Sequence, residues 1–186
     1  GTISTTAALI VTAATTQSNL NTSRYQHSAT TLPSGKILVA GGLNCPAAGS
    51  CEYLNRAEIF DPATNSFTNT GAMAQARSAS SVLLHNGNVL ISGGYSCDTS
   101  GNCSSLASAE LYNPVAGTFS SAGTMTAARS GHTMTLLING TVLIAGGETC
   151  TSATSCAALS TAEIYDPVAG TFTVTTAGMS AARFGA

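Results

Sequence analysis

A double glycine returns along this chain at a near-constant interval, and that interval constrains the fold more than any other feature. Gly41-Gly42, Gly93-Gly94 and Gly146-Gly147 recur after 52 and 53 residues, each behind an apolar run: KILVA, NVLIS and TVLIA. The rest of the chain keeps the same phase. Glu58, Glu110 and Glu163 recur in AEIFDP, AELYNP and AEIYDP. Phe67, Phe119 and Phe172 follow, then Met73, Met125 and Met179. Arg77, Arg129 and Arg183 close each period, with Arg24 one period earlier. A period near 50 residues is too long for helical repeats of roughly 33 or 34 residues, and it marks a unit that buries its apolar faces by stacking on copies of itself.

Each unit reads as four strands. In the first, the pattern predicts strands at Ser28–Leu32, Lys36–Ala40, Ala57–Phe60 and Ser66–Thr70. The first two are joined by a tight turn, PSG in the first unit and Asn86-Gly87 and Asn139-Gly140 in the next two. Asn-Gly suits a type I′ hairpin because both central residues need positive φ. The last two strands are joined by Asp61-Pro62, Asn113-Pro114 and Asp166-Pro167, where Pro pre-sets φ and the Asx side chain closes the turn. Thr, Val, Ile and Gly abound, which favours strands and turns over helices. Only 8% of residues are charged, against roughly 25% in an average soluble protein. At 44% hydrophobic with a formal charge of -2, the chain is still too apolar for disorder.

The order Arg-x-x-His, apolar strand, Gly-Gly, variable loop, Glu-x-aromatic-Asp-Pro, aromatic, Met, Arg resembles the Kelch repeat family over residues 24–186. That resemblance implies an all-β fold, a β-propeller of four-stranded blades. Its blades would be residues 24–76, 77–128 and 129–182, with 183–186 beginning a fourth and 1–23 forming the outer end of a degenerate earlier one. Kelch blades usually carry Trp where Phe67, Phe119 and Phe172 stand, and this chain has no Trp. Phe is expected to fill the same slot between blades with less area.

The repeated residues have physical readings. Gly-Gly fits a place of positive φ or close backbone approach. Four of the six cations (Arg24, Arg77, Arg129, Arg183) share one repeat position, and three of the eight acids (Glu58, Glu110, Glu163) share another. Charges this scarce and this regular suggest a buried role, and buried charge must be paired and hydrogen-bonded. Each Glu is therefore expected to meet a repeat Arg or nearby backbone N–H groups, holding blades together.

Six cysteines form three pairs of identical spacing: Cys45 and Cys51, Cys97 and Cys103, Cys150 and Cys156. Each pair follows a Gly-Gly. Zinc pairs usually have two to four intervening residues and a second pair or His nearby, so a local disulfide in each loop is the expectation and a metal the competing reading. Such bonds persist in secreted proteins and are rare in cytosol, which points to an extracellular or cell-surface location. The same loops carry the candidate ligand-binding residues Asn44, Tyr53, Tyr95, Asp98, Asn102 and Glu148.

No nucleophile elbow, zinc-protease motif or phosphate loop is present. His27 and His132 share one repeat phase, with Ser80 between them. They are read as strand caps or, alternatively, as a shared metal site; His85 is expected in solvent. Some Kelch propellers belong to copper oxidases resembling galactose oxidase, which need a thioether-linked Tyr and Cys; here every Cys has a loop partner. No cofactor is expected. Asn21, Asn102 and Asn139 stand in Asn-x-Ser/Thr sequons, with Asn21 the preferred acceptor. Basic residues cluster nowhere, which argues against nucleic acid and anionic membrane, and no apolar run reaches the roughly 18 residues of a membrane span. The chain has no initiator Met or signal-peptide pattern, so it is expected to start after processing, and Thr6–Thr15 reads as a lone strand. Propellers usually need four to eight blades to close. The functional expectations are a non-catalytic recognition module for protein or glycan, a self-assembling surface protein closed by strand exchange through Ala7–Ala14, and, last, part of a copper oxidase.

Overall fold

The computed structural model describes residues 19–47 and 50–185, so the expected strand over Thr6–Thr15 lies outside the described residues. The chain runs through β1 (Ser28–Thr31), β2 (Ile37–Ala40), β3 (Leu43–Ala47), β4 (Ser50–Tyr53), β5 (Ala57–Asp61) and β6 (Ser66–Asn69). β1, β2, β5 and β6 form an antiparallel sheet in that order, and β3 and β4 pair separately as a hairpin. The plan repeats with β7 (Ser78–Leu83), β8 (Val89–Cys97), β9 (Cys103–Ser105), β10 (Ser108–Asn113) and β11 (Thr118–Thr124). Here the order is β7-β8-β10-β11, and β8 runs on to pair with β9. It repeats again with β12 (Thr133–Leu136), β13 (Val142–Ala145), β14 (Glu148–Ser152), β15 (Ser155–Ala158), β16 (Ala162–Asp166) and β17 (Thr171–Val174). The third sheet is ordered β12-β13-β16-β17, with β14–β15 as its hairpin. No helix occurs among the described residues.

Local chemistry sets the turns. The Asp61, Asn113 and Asp166 carboxyl or amide oxygens accept the N–H two residues on, at 2.8–2.9 Å, which closes each Asx-Pro turn. At the other hairpins Leu32, Leu84 and Leu137 donate N–H bonds across the turn to Lys36, Asn88 and Thr141.

The apolar runs are continuous because each middle sheet position has neighbours on both sides. Successive strand side chains point to opposite faces. Leu38 and Ala40 of β2 therefore face Val89 and Ile91 of β8, with Leu32, Ala57, Met73 and Tyr112 filling the same layer. Leu90, between Val89 and Ile91, points the other way, into a second layer with Ala109, Ala122, Met125, Val142, Ile144 and Tyr165. The cores thus lie between sheets, not within them. Phe119 and Phe172 pack against these two layers. Each meets a tyrosine across its own sheet, Phe119 on Tyr112 and Phe172 on Tyr165, with ring centroids 4.8 and 4.7 Å apart. Tyr112 and Tyr165 are each 1% exposed, and burying one such ring contributes about 2–3 kcal/mol.

One element departs from the sequence reading. The stretches after Gly-Gly are not plain loops but hairpins, with Cys97 directly opposite Cys103 and Cys150 directly opposite Cys156. Their composition is Ser, Thr and Cys without apolar alternation, so no period marks them as strands; the covalent cross-strand pair holds them in register.

Candidate functional site

The frame of the site is a clamp built from the repeated Arg, Glu and Gly. Arg77 belongs to two sheets at once. Its N–H donates to the Leu54 carbonyl and its carbonyl accepts from Gly42 N–H at 2.9 Å, both in the first repeat. Its guanidinium reaches into the second repeat, to the carbonyls of Gly93 at 3.0 Å and Ser108 at 2.7 Å and to Glu110 Oε1 at 3.0 Å. Arg129 repeats the pattern one sheet on: backbone to Leu106 and Gly94, side chain to Gly146 O, Thr161 O and Glu163 Oε1. Arg24 makes the same side-chain set with Gly41 O, Arg56 O and Glu58 Oε1, the last at 2.6 Å. Each Glu is also capped by two successive backbone N–H groups of the incoming segment. These are Asn21 and Thr22 for Glu58, Ala74 and Gln75 for Glu110, and Thr126 and Ala127 for Glu163. Burial alone would raise the Glu163 pKa, but those two N–H bonds and the Arg129 guanidinium outweigh it and hold the carboxyl below its ordinary range. Arg183 has the backbone half of the clamp, through Leu159 and Gly147, while the residue itself is exposed.

The glycines are required by this crossing. Gly93 and Gly94 have φ of +57° and +100°. A Cβ on Gly93 would overlap the Arg129 carbonyl oxygen, and one on Gly94 the Ser78 carbonyl oxygen.

On this frame the three disulfides, Cys45–Cys51, Cys97–Cys103 and Cys150–Cys156, staple three hairpins. All six cysteines are bonded, so none is free for a thioether to Tyr. The Glu148 carboxylate lies within 4.8 Å of both sulfurs of Cys150–Cys156. Metal binding by sulfur needs a thiolate, and these sulfurs are bonded to each other, so the group is not a metal centre.

A cleft of about 560 Å³ opens where the hairpin bases meet, lined by Gln26, Tyr53, Tyr95, Glu148, Phe184 and the Cys150–Cys156 bridge. Tyr53 and Tyr95 meet edge to face, with centroids 6.0 Å apart and planes at 66°. Burial, with the Tyr95 and Tyr25 phenols beside it, pushes the Tyr53 pKa up, so its hydroxyl stays neutral. Ser105 locks the second hairpin to the third: its hydroxyl bonds Ser130 Oγ at 3.0 Å and accepts from Cys150 N–H at 2.9 Å.

Of the loop residues expected to bind, three meet here: Tyr53, Tyr95 and Glu148. The others make contacts outside the cleft. Asn44 Oδ1 accepts from Ser23 Oγ. The Asp98 carboxylate accepts from Ser100 N–H and from the backbone and side chain of Asn102. Gln26 and Phe184, absent from the sequence expectation, follow the repeat Arg at positions that read Tyr-Gln, Ser-Ala, Ser-Gly and Phe-Gly around the periods; that variation beside a fixed residue was the available signal.

The histidines separate. His27 is exposed, whereas His132 is 4% exposed and its Nε2 meets Ser92 Oγ at 3.2 Å. Its ring thus has a side-chain partner in the second sheet. Burial, reinforced by Arg129, lowers its pKa to about 4. Asn21, the preferred sugar acceptor, has its amide near Phe67 O and Asn69 Oδ1, both at 3.4 Å. Asn139 instead uses Oδ1 to accept from Thr141 N–H and Oγ1.

The architecture is that of an all-β, β-propeller-like fold: four-stranded antiparallel sheets packed face to face through apolar layers. The solved structure of YjhT has a similar fold, with a TM-score of 0.68 at 15% identity over 84% of this chain and 53% of that one. The chain is also 34% identical over 115 residues to spermatocyte protein spe-26 of Caenorhabditis elegans, which is 61% of this chain and 19% of that protein's length. No protein-family model matches the chain. No helix among the described residues is long and apolar enough to cross a membrane. Three disulfides are the mark of an oxidising environment.

Proposed function

We propose that this chain is a run of Kelch-type propeller blades, with residues 24–76, 77–128 and 129–182 as the repeating units, in a secreted, non-catalytic module that recognises protein or glycan. The observation that carries this is the cleft. Its frame is the same in every repeat, while its lining differs from repeat to repeat. The residue after Gly-Gly is Leu43, Tyr95 or Glu148, and the residue before the next conserved leucine is Tyr53, Ser105 or Ala158. A purely structural array has no reason to place two aromatic rings and a carboxylate at its variable positions around one opening, whereas pockets that bind are concave, aromatic and furnished with few polar groups. Glycan and peptide arrays probed with the oxidised chain test the reading. A signal lost in a Tyr53→Ser/Glu148→Gln variant that keeps its disulfides supports it; no signal, or one the variant leaves unchanged, removes it.

A second reading is self-assembly. Arg183 is exposed, whereas its three counterparts sit on a carboxylate and two carbonyls of the following sheet. A following sheet from the same chain or from another copy would complete it equally. Light scattering decides this: particles of many chains support assembly, and a monodisperse single chain excludes it. The Ala7–Ala14 segment expected to mediate exchange lies outside the described residues.

A further inference from the structure

We infer that the cleft receives a cationic side chain, so that the partner is a basic peptide segment presenting lysine or arginine; this rests on the recognition reading above. Charge comes first. The three hairpin stretches, 43–53, 95–105 and 148–158, contain Glu52, Asp98 and Glu148 and no Lys, Arg or His. Of these acids only Glu148 lines the cleft, and no cation lines it among the described residues. Arg24, Arg77 and Arg129, each one or two residues before a lining residue, spend their guanidiniums on buried carboxylates and carbonyls, and the exposed Arg183, next to Phe184, is not among the lining residues. An anionic ligand would meet one carboxylate and no cation among the lining side chains.

Aromatic geometry comes next. Planes at 66° and centroids 6.0 Å apart make Tyr53 and Tyr95 an open corner rather than one flat platform. A corner offers ring electron density from two directions, which suits a compact cation, whereas a sugar ring stacks best on a single face. The Tyr53 phenol stays neutral, so its contribution is the ring and a hydroxyl, not a charge. Glu148, in the lining of the same opening, supplies the counter-ion. Size decides between a free amine and a chain: about 560 Å³ far exceeds an ammonium group and accommodates a side chain with its flanking backbone. The serine hydroxyl of Ser78 at the wall can take one of the peptide's own backbone groups.

The test uses the 186-residue oxidised chain and titration calorimetry. The ligands are an acetylated, amidated alanine-lysine peptide, its alanine-glutamate counterpart and a neutral malto-oligosaccharide. The lysine peptide should bind, more weakly as salt rises, and the glutamate peptide should not. Glu148→Gln and Tyr95→Ala should each weaken the lysine peptide about tenfold, while Tyr95→Phe, which keeps the ring, should leave it within about twofold. Glu52→Gln, outside the cleft, is the charge control, and unchanged melting and disulfide content show that the variants fold. Failure of the lysine peptide to bind, equal binding of both peptides, or indifference to Glu148→Gln overturns the inference. Binding of the oligosaccharide alone, lost in Tyr95→Ala, overturns the cation yet leaves recognition by this cleft standing. No binding by any of the three, together with a silent array, removes both.

Discussion

The repeated charged residues bear on stability because they are buried. Glu163 is fully buried and receives Arg129 at 2.8 Å. Glu163→Gln leaves that guanidinium buried without its counter-ion and should cost about 3–5 kcal/mol in urea unfolding, whereas replacing both partners by Leu and Met should cost less than removing either alone. A Glu163→Gln protein as stable as the parent would mean the clamp contributes nothing. His132 sets a pH dependence of its own. Its pKa falls from 6.5 to about 4 in the folded chain, so folding keeps it neutral where the unfolded chain would protonate it. Its contribution is complete above about pH 6.5 and is lost as the pH falls toward 4, at most about 3 kcal/mol. Glu163, whose pKa is lowered below its ordinary range, adds a separate loss at still lower pH. The unfolding midpoint measured from pH 7 to 4 should fall less in His132→Gln than in the parent; parallel curves would remove His132 as the cause.

At the scale of the element, the hairpins owe their form to covalent closure. Converting Cys97 and Cys103 together to Ser opens a short loop and should cost about 2 kcal/mol in the chain-entropy picture, with the sheet order of β7, β8, β10 and β11 unchanged. Intact mass gives the companion check: full reduction should add about 6 Da, two hydrogens per bridge. These hairpins also mark where reading from sequence stops. The strands of the sheets were legible because KILVA, NVLIS and TVLIA are apolar on both faces and end on Gly-Gly, and the clamp was legible because scarce charges recur in phase. Nothing in TCTSATSC alternates, so the β14–β15 hairpin was read as loop. Nor does any local pattern reveal that Tyr53 touches Tyr95. They come from different repeats and occupy non-equivalent positions, and their meeting depends on how far one sheet is rotated from the next. The chemistry of Glu148 was visible as a residue type; its place beside a disulfide, in one cleft with two tyrosines, was not.

For the whole molecule, the layers and clamps make neighbouring sheets interchangeable. Val142, Ile144, Tyr165 and Phe172 present to the second sheet the face that Val89, Ile91, Tyr112 and Phe119 present to the first. Removing residues 77–128, one full period, joins the first repeat directly to Arg129, which then has the Leu54 and Gly42 partners behind it and Glu163 ahead. That protein should fold cooperatively, as read by circular dichroism and urea. Removing residues 77–102, half a period, leaves Glu110 buried without its arginine and should not; equal behaviour of the two deletions would show that the clamp does not define the unit. Because each arginine has its backbone in one repeat and its side chain in the next, it acts as a ruler for the gene. Successive arginines from Arg24 to Arg183 are 53, 52 and 54 residues apart, so the loops absorb a residue or two, whereas loss of half a unit strands a buried charge. Within a unit, the hairpin bases answer to no such measure, and a lineage can change the lining of the cleft one codon at a time without disturbing what holds the sheets together.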